Sequence, residues 1–223
     1  MNYTLNRSKR KTLALYVRDW GVEARVPLHM PKAEVDRFVA SKEKWIASKQ
    51  AILAERNSQR ESFALAYGDR LAYRGAEYPI AEKDGGRIGF DNERFYMPPG
   101  LGPDQIKLAS VQIYRMLAKR DLTKKALDFA KQMSVMPSAV KVNNATARWG
   151  SCSAKKSLNF SWRLIMADDD VIDYVVVHEL AHIIELNHSD RFWSIVEAVL
   201  PDFRERKSRL KELQDRQNRE DWG

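Results

Sequence analysis

Three of the four histidines in this chain lie within eleven residues, at His178, His182 and His188, and this cluster restricts the local fold more than any other feature. Apolar residues at 174–177 lead into the cluster, and three aspartates at 168–170 precede them. Acidic residues suit the positive end of a helix dipole, so the pattern predicts a helix that opens at these aspartates and runs to residue 186.

The spacing of the histidines decides how the chain must run after this helix. Four residues make about 1.1 helical turns, so His178 and His182 leave the same face. On a straight helix His188 would lie about 15 Å from His178. For all three imidazoles to meet, the chain must leave the helix and turn back. We expect Asn187 to make that turn, because asparagine tolerates left-handed backbone conformations.

Imidazoles grouped in this way are typical zinc ligands, and three protein ligands leave one coordination position open for chemistry. Glu179 lies about 100° round the helix from His178, so it is placed to act as a general base and not as a ligand. The interpretation is one Zn²⁺ per chain, held by His178, His182 and His188. A helix with hydrogen-bonded core histidines is the plainer alternative, but it does not explain the clustering. A purely structural zinc site would usually be closed and rich in thiolates, whereas Cys152 is the only cysteine.

The predicted chemistry is hydrolysis of peptide bonds by a metal-activated water molecule, from which Glu179 takes a proton. A tetrahedral oxyanion then needs a further hydrogen-bond donor. The sequence offers four candidate donors and does not choose between them: Tyr174, Asn187, Arg148 and Arg163. A glycine stands three residues after the second histidine in metzincins, whereas this chain has Glu185 there. The site therefore departs from the metzincin pattern.

Patterns elsewhere predict both strands and helices. Alternating residues around Asp19, Trp20 and Gly21 predict a β-hairpin, and helical periodicity from Pro31 predicts one or two helices. Residues 62–103 resemble short strands with tight turns, residues 105–133 a helix, and residues 140–166 two or more strands. A second helix is predicted to begin at Ser189, and the charged residues 202–223 to form a solvated helix or a frayed end. We expect a strand-rich region at 1–103 with one or two helices and a catalytic region at 104–223, or one continuous domain.

The chain has a formal net charge of +8 and a pI of about 9.5, a balance that favours anionic partners. Its single cysteine excludes an internal disulfide and suits a reducing compartment. No apolar run is long enough for a signal peptide or a membrane span. We expect a cytoplasmic protein with a protein or peptide substrate, weak nucleic-acid binding at most and no membrane partner. The oligomeric state is open.

Two stretches resemble the YgjP-like metallopeptidase family: TARWGSCSAKKSLNFSWRLIMAD and DYVVVHELAHIIELNHSDRFW. That family is related to the SprT-like and WLM metalloproteases, which share the pattern HExxHxxxxxHxxxF. The pattern is matched here by His178, Glu179, His182, His188 and Phe192. The resemblance implies a zincin-like α+β fold, with the HExxH helix packed beside a small mixed or antiparallel sheet. It also implies zinc and peptide-bond hydrolysis.

Two alternatives remain open at this stage. The relatives suggest a protease that acts on DNA-bound proteins, and the basic charge is compatible with it. The other alternative is a non-catalytic DNA-binding or protein-binding module with a vestigial zinc site. An intact Glu179 argues against a vestigial site. Residues 148–152 could line an active-site cleft as an edge strand that pairs with an extended peptide, or they could simply belong to the core.

Overall fold

The structure is a computed structural model that describes residues 2–222, and its helices and strands fall into two units. The first unit comprises residues 2–63 and Asn218–Asp221, and the second comprises Ala64–Gln217 and Trp222. The sequence predicted a division after residue 103, which stays a prediction for the domains. The two units divide after Phe63 instead. The strands within residues 70–97, which the sequence assigned to the N-terminal region, belong to the second unit.

The first unit is a three-stranded sheet with two helices. Its strands are β1 (Thr4–Ser8), β2 (Ala14–Arg18) and β3 (Gly21–Pro27), in the order β1-β3-β2, and its helices are α1 (Lys32–Ser41) and α2 (Glu43–Glu61). The predicted hairpin is confirmed as the antiparallel pair β2–β3, in which Gly21 has φ +133° after the turn. Its core combines apolar residues of β3 with the buried faces of both helices, at Val22, Ala24, Val26, Val35, Val39 and Ile46.

The second unit begins with a four-stranded sheet, which is followed by a long helix. The strands are β4 (Arg70–Tyr73), β5 (Ala76–Glu82), β6 (Gly89–Phe90) and β7 (Phe95–Met97), in the order β4-β5-β7-β6, followed by α3 (Pro103–Gln132). Proline suits the first position of a helix, where its missing N–H costs nothing. Tyr114 of α3 is fully buried and donates a hydrogen bond to the carbonyl of Ala72 in β4, 2.8 Å away. This contact ties the sheet to the long helix.

The rest of the second unit carries the histidine cluster. A second sheet contains β8 (Ala139–Asn143), β9 (Gly150–Cys152) and β10 (Ser157–Ser161), in the order β8-β10-β9, with β8 parallel and β9 antiparallel to β10. A short 3₁₀ helix (Trp162–Met166) leads to α4 (Asp169–Ala181), α5 (Asp190–Val199) and α6 (Phe203–Gln217). The α+β class is therefore confirmed, with small mixed sheets and six α-helices in the described residues.

The start of α4 is fixed by ion pairs. Asp169 Oδ1 accepts from Arg74 Nε at 2.6 Å, and its other oxygen lies 3.0 Å from Lys125 Nζ. Arg209 of α6 pairs with Asp168 and Asp170. The aspartates therefore suit the helix dipole as expected, but Asp168, the N-cap residue, makes no capping hydrogen bond. No helix within residues 2–222 is both long enough and apolar enough to cross a membrane.

Candidate metal centre

The helix that carries the first two histidines is shorter than the sequence predicted. It ends at Ala181, not at residue 186. The carbonyl of Ala181 accepts from Ile184 N at 3.0 Å and from Glu185 N at 2.9 Å, so its free carbonyl group is satisfied by a tightened last turn. His178 and His182 therefore stand on the last turn of α4, where the chain can leave the helix at once.

The reversal towards His188 differs from the prediction. Asn187 is not in the left-handed region: the non-glycine residues with positive φ in the described chain are Arg74, Asn92, Ser134 and Lys156. The tight turn after α4 and the start of α5 reverse the chain instead. Ser189 N donates to the carbonyl of Asn187 at 2.8 Å, and Ser189 Oγ accepts from Phe192 N at 3.3 Å. Ser189 is thus the N-cap residue of α5, and the predicted start of this helix is confirmed.

The three imidazoles converge. Their ring centroids form a nearly equilateral triangle with sides of 5.0, 4.9 and 4.8 Å. One nitrogen from each of His178, His182 and His188 lies within 4.8 Å of the other two. The Nε2 atoms of His178 and His188 are 3.0 Å apart. A tetrahedral zinc with bonds of about 2.0–2.1 Å sets its ligand nitrogens roughly 3.3 Å apart, so the donor set and spacing fit the ion.

His182 and His178 differ in the hydrogen bonding of their Nδ1 atoms. His182 Nδ1 lies 3.1 Å from the carbonyl of Glu185, to which it can donate. That bond fixes the tautomer in which Nε2 carries the lone pair towards the other two histidines. His178 Nδ1 is buried and has no hydrogen-bond partner among residues 2–222. Its converging nitrogen is Nε2, which faces His188.

Two of the imidazoles, those of His178 and His188, lie in surroundings that favour the neutral form. Burial lowers the pKa of His178 to about 3, and the nearby His182, His188 and Lys207 lower it further. Burial also lowers the pKa of His188, with added repulsion from His182 and Lys207. A neutral imidazole keeps the lone pair that a metal ion needs.

Glu179 lies in a confined position against the sheet. Its side chain is only 6% exposed. Gly150 of β9 packs against it so closely that a Cβ atom built on that glycine would meet Glu179 Cγ at 2.6 Å. Burial raises the pKa of Glu179 to about 7, and the positive charge of Arg148 partly opposes the rise. A carboxyl group with this pKa can both accept and return a proton near neutral pH.

The four predicted oxyanion donors lie in different surroundings. Tyr174 is buried with its ring 5.8 Å from that of His178, and burial, followed by the charge of Glu179, raises its pKa to about 12. Arg148 is exposed and acts electrostatically on Glu179. Asn187 is exposed beside His188. Arg163 is buried, donates to Asn144 Oδ1 at 2.8 Å and lies over the Trp162 ring. These contacts occupy Arg163 in the 3₁₀ helix, and the role of each donor stays a prediction.

Aromatic rings form a wall behind the histidines. Phe192 is fully buried, and its ring lies 4.9, 4.6 and 4.8 Å from those of His178, His182 and His188. Trp193 stacks on His188 with centroids 5.6 Å apart and an angle of 20°. Phe192 is the last residue of the matched pattern, and Trp193 follows it directly in the stretch that resembles the family.

Helix α6 adds two residues that the sequence did not single out. Phe203 also stacks with Trp193, at 5.4 Å and 13°, and Lys207 Nζ lies 4.5 Å from the centre of the Trp193 ring. Their segment has the mixed charges typical of a solvated helix, so the sequence does not indicate their contacts with Trp193. Phe203 is the buried residue at its start.

Comparison with known proteins identifies the family. A model described as YgjP-like, metallopeptidase domain, matches residues 11–213. The chain belongs to the YgjP-like metallopeptidase family. It is therefore a peptidase by family, with protein or peptide substrates, and the family implies a metal.

Solved structures of two other proteins are also similar. One is the metallopeptidase zymogen jannalysin of Methanocaldococcus jannaschii, with 18% identity and a TM-score of 0.38, covering 41% of this chain and 95% of that one. The other is the metallopeptidase zymogen abylysin of Pyrococcus abyssi, with 19% identity and a TM-score of 0.39, covering 45% and 98%. No curated protein matches the chain.

Proposed function

We propose that this metallopeptidase is zinc-dependent, that His178, His182 and His188 hold one Zn²⁺, and that Glu179 is the general base. The observation that carries the proposal is the convergence of three imidazole nitrogens within 4.8 Å, beside the buried carboxyl group of Glu179. Three neutral imidazoles form a typical catalytic zinc site, since they leave a fourth position open.

The proposed mechanism divides the work between the metal and the protein. When bound, zinc polarises the peptide carbonyl and lowers the pKa of a water molecule. Glu179 accepts a proton from the attacking water and delivers it to the departing amine, so the proton balance closes on one carboxyl group. The burial that raises its pKa to about 7 suits both steps. Tyr174 and Arg148 are the proposed donors to the oxyanion, because both interact electrostatically with Glu179: its charge raises the pKa of Tyr174, and the charge of Arg148 lowers the pKa of Glu179.

Strand β9 is the proposed guide for the substrate. It is an edge strand of its sheet, and Gly150 places it directly against Glu179. An extended peptide can add to such an edge through main-chain hydrogen bonds, which align its carbonyl groups. This arrangement, an HExxH helix beside a sheet edge, is the zincin-like feature that we propose for the fold.

Metal content and casein cleavage test the proposal together. Purified wild-type protein should contain about one zinc per chain, as expected for a three-histidine site. His188→Ala should lose both zinc and cleavage, whereas Glu179→Gln should keep zinc and lose cleavage. His29→Ala is the matched control, because His29 is exposed and lies in the first unit. Stoichiometric zinc in His188→Ala, or full activity in Glu179→Gln, would sink the proposal.

The same variants separate the alternatives. A protease of DNA-bound proteins would cleave such a protein in a DNA-dependent manner, with loss in Glu179→Gln. A vestigial binding module would keep its salt-dependent DNA binding in Glu179→Gln and cleave nothing in any form. Both alternatives stay predictions.

A further inference from the structure

The second unit also contains a groove that is separate from the metal centre and is lined by residues that take no part in it. Its volume is about 590 Å³, and it is lined by Arg115 and Lys119 of α3 and by residues 140–144 of β8 and its end. Arg115 and Lys119 are four residues apart, so they share one face of the helix. No acidic side chain lines the groove.

The lining shows that the groove follows the edge of the sheet. Successive side chains of a strand point to opposite faces, so a groove on one face would be lined by alternate residues. Here the strand residues are consecutive, from 140 to 144. Strand β8 is the outer strand of its sheet, on the side opposite β9. Within residues 2–222 its only backbone pairing is with β10.

The cations beside this edge have no counter-charge of their own. Arg115, Lys119 and Lys141 are all exposed. No ion pair or side-chain hydrogen bond engages them in the part of the chain that the structure describes. Neighbouring cations are used differently: Lys124 pairs with Asp128 at 2.7 Å, and Arg120 pairs with Asp121 at 2.6 Å. The groove therefore offers positive charge together with unpaired main-chain groups.

We propose that this groove binds an extended acidic peptide segment, which adds to β8 as a further strand. An edge strand presents free N–H and C=O groups that a peptide backbone can satisfy. Carboxylates on one face of the added strand would meet Arg115 and Lys119, while Val140 and Val142 supply apolar contact. A protein partner fits this lining better than a nucleic acid, because no aromatic side chain is present on which bases could stack. The site does not depend on the proposed zinc chemistry.

Fluorescence anisotropy with a defined probe tests this proposal. The probe is a labelled peptide of alternating glutamate and valine, about eight residues long, slightly longer than the exposed strand. Full-length Glu179→Gln is used as the background, so that the probe is not cleaved. Binding should weaken with salt and should persist after zinc is removed with a chelator, which separates it from binding at the metal centre.

Charge reversal locates the binding site. Arg115→Glu with Lys119→Glu should weaken binding about tenfold or more, through lost attraction and new repulsion at two positions. The matched control is Lys44→Glu with Lys49→Glu, two exposed cations of α2 in the first unit, which changes the net charge equally. Binding in this control should equal that of the background protein. Melting temperatures of both double variants verify that each is folded.

Two further probes test the strand addition itself. A peptide with proline in place of each valine loses every second main-chain N–H, and proline fits poorly within a paired strand, so this peptide should bind at least about tenfold more weakly. Short duplex and single-stranded DNA should compete poorly with the acidic peptide. Equal binding in both double variants, equal binding of the proline peptide, or DNA binding that the groove variant alone abolishes would each overturn the proposal.

Discussion

Gly150→Ala tests whether the position of Glu179 limits catalysis. An alanine Cβ at this position would lie 2.6 Å from Glu179 Cγ, 2.7 Å from Oε1 and 2.8 Å from Cδ. Carbon atoms in contact prefer about 3.5–4.0 Å, so the carboxyl group must move by about 1 Å. A shift of that size in a catalytic group can lower the rate about a hundredfold. Gly150 does not have a positive φ, so the backbone itself accepts alanine.

Zinc content, melting temperature and casein cleavage are measured on the same preparation. We expect Gly150→Ala to keep the zinc content of the wild type, to lose at most about 1–3 kcal/mol of stability through overpacking, and to lose about two orders of magnitude in kcat. Gly86→Ala is the matched control, since its Cβ meets no atom within 4 Å and its φ is not positive. Wild-type kcat in zinc-loaded Gly150→Ala would refute the reasoning. So would a loss of kcat that only mirrors lost zinc.

Three further predictions concern the aromatic residues beside the histidines, the first turn of α4 and the binding of zinc. Trp193→Ala removes the ring stacked on His188 and should weaken zinc affinity about tenfold in a chelator competition, while Trp193→Phe retains it; equal affinities would contradict this. Arg74, and then Lys125, lower the pKa of Asp169 below its ordinary 3.8. The charged form is therefore stabilising above that pH, and the contribution fades on acidification. Asp169→Asn should lower the melting temperature at pH 7 by the equivalent of less than about 1 kcal/mol, with the gap closing as the pH falls below 3.8; a gap constant with pH would refute it. Zinc at one hundred times its Kd should stabilise the wild type by about 2.7 kcal/mol and leave His188→Ala unshifted in thermal melts.

The sequence predicts the elements whose signals are local. The β2–β3 hairpin follows from Gly21 and its alternating neighbours. Helix α3, predicted over residues 105–133, begins earlier, at Pro103, because proline suits a first helical turn. Ser189 marks the start of α5 by its side-chain oxygen. The two histidines on one face of α4 follow from helical geometry alone, and a turn back towards His188 follows from the length of ten helical residues.

Other features depend on contacts between distant segments, so no local pattern contains them. Phe203 and Lys207 complete the stack on Trp193 from α6, although their own helix is dominated by charged residues. The sequence offers Gly150 only as part of a possible edge strand at the cleft, and its contact with Glu179 appears when β9 and α4 come together. Strands β4 and β5 join the second unit through the Tyr114 contact with Ala72, which the run of short strands does not encode.

Glu185 shows why the third histidine needs no glycine before it. In the metzincin pattern the glycine supplies a backbone conformation that turns the chain, whereas here the carbonyl of Ala181 accepts from both Ile184 N and Glu185 N and turns it with ordinary φ values. A glutamate is therefore tolerated sterically. Its carbonyl accepts the hydrogen bond from His182 Nδ1, so the same tight turn that ends the helix also orients the second histidine. The loop length between His182 and His188 is thus tied to the orientation of the ring it follows, and an insertion in it should disturb both histidines at once.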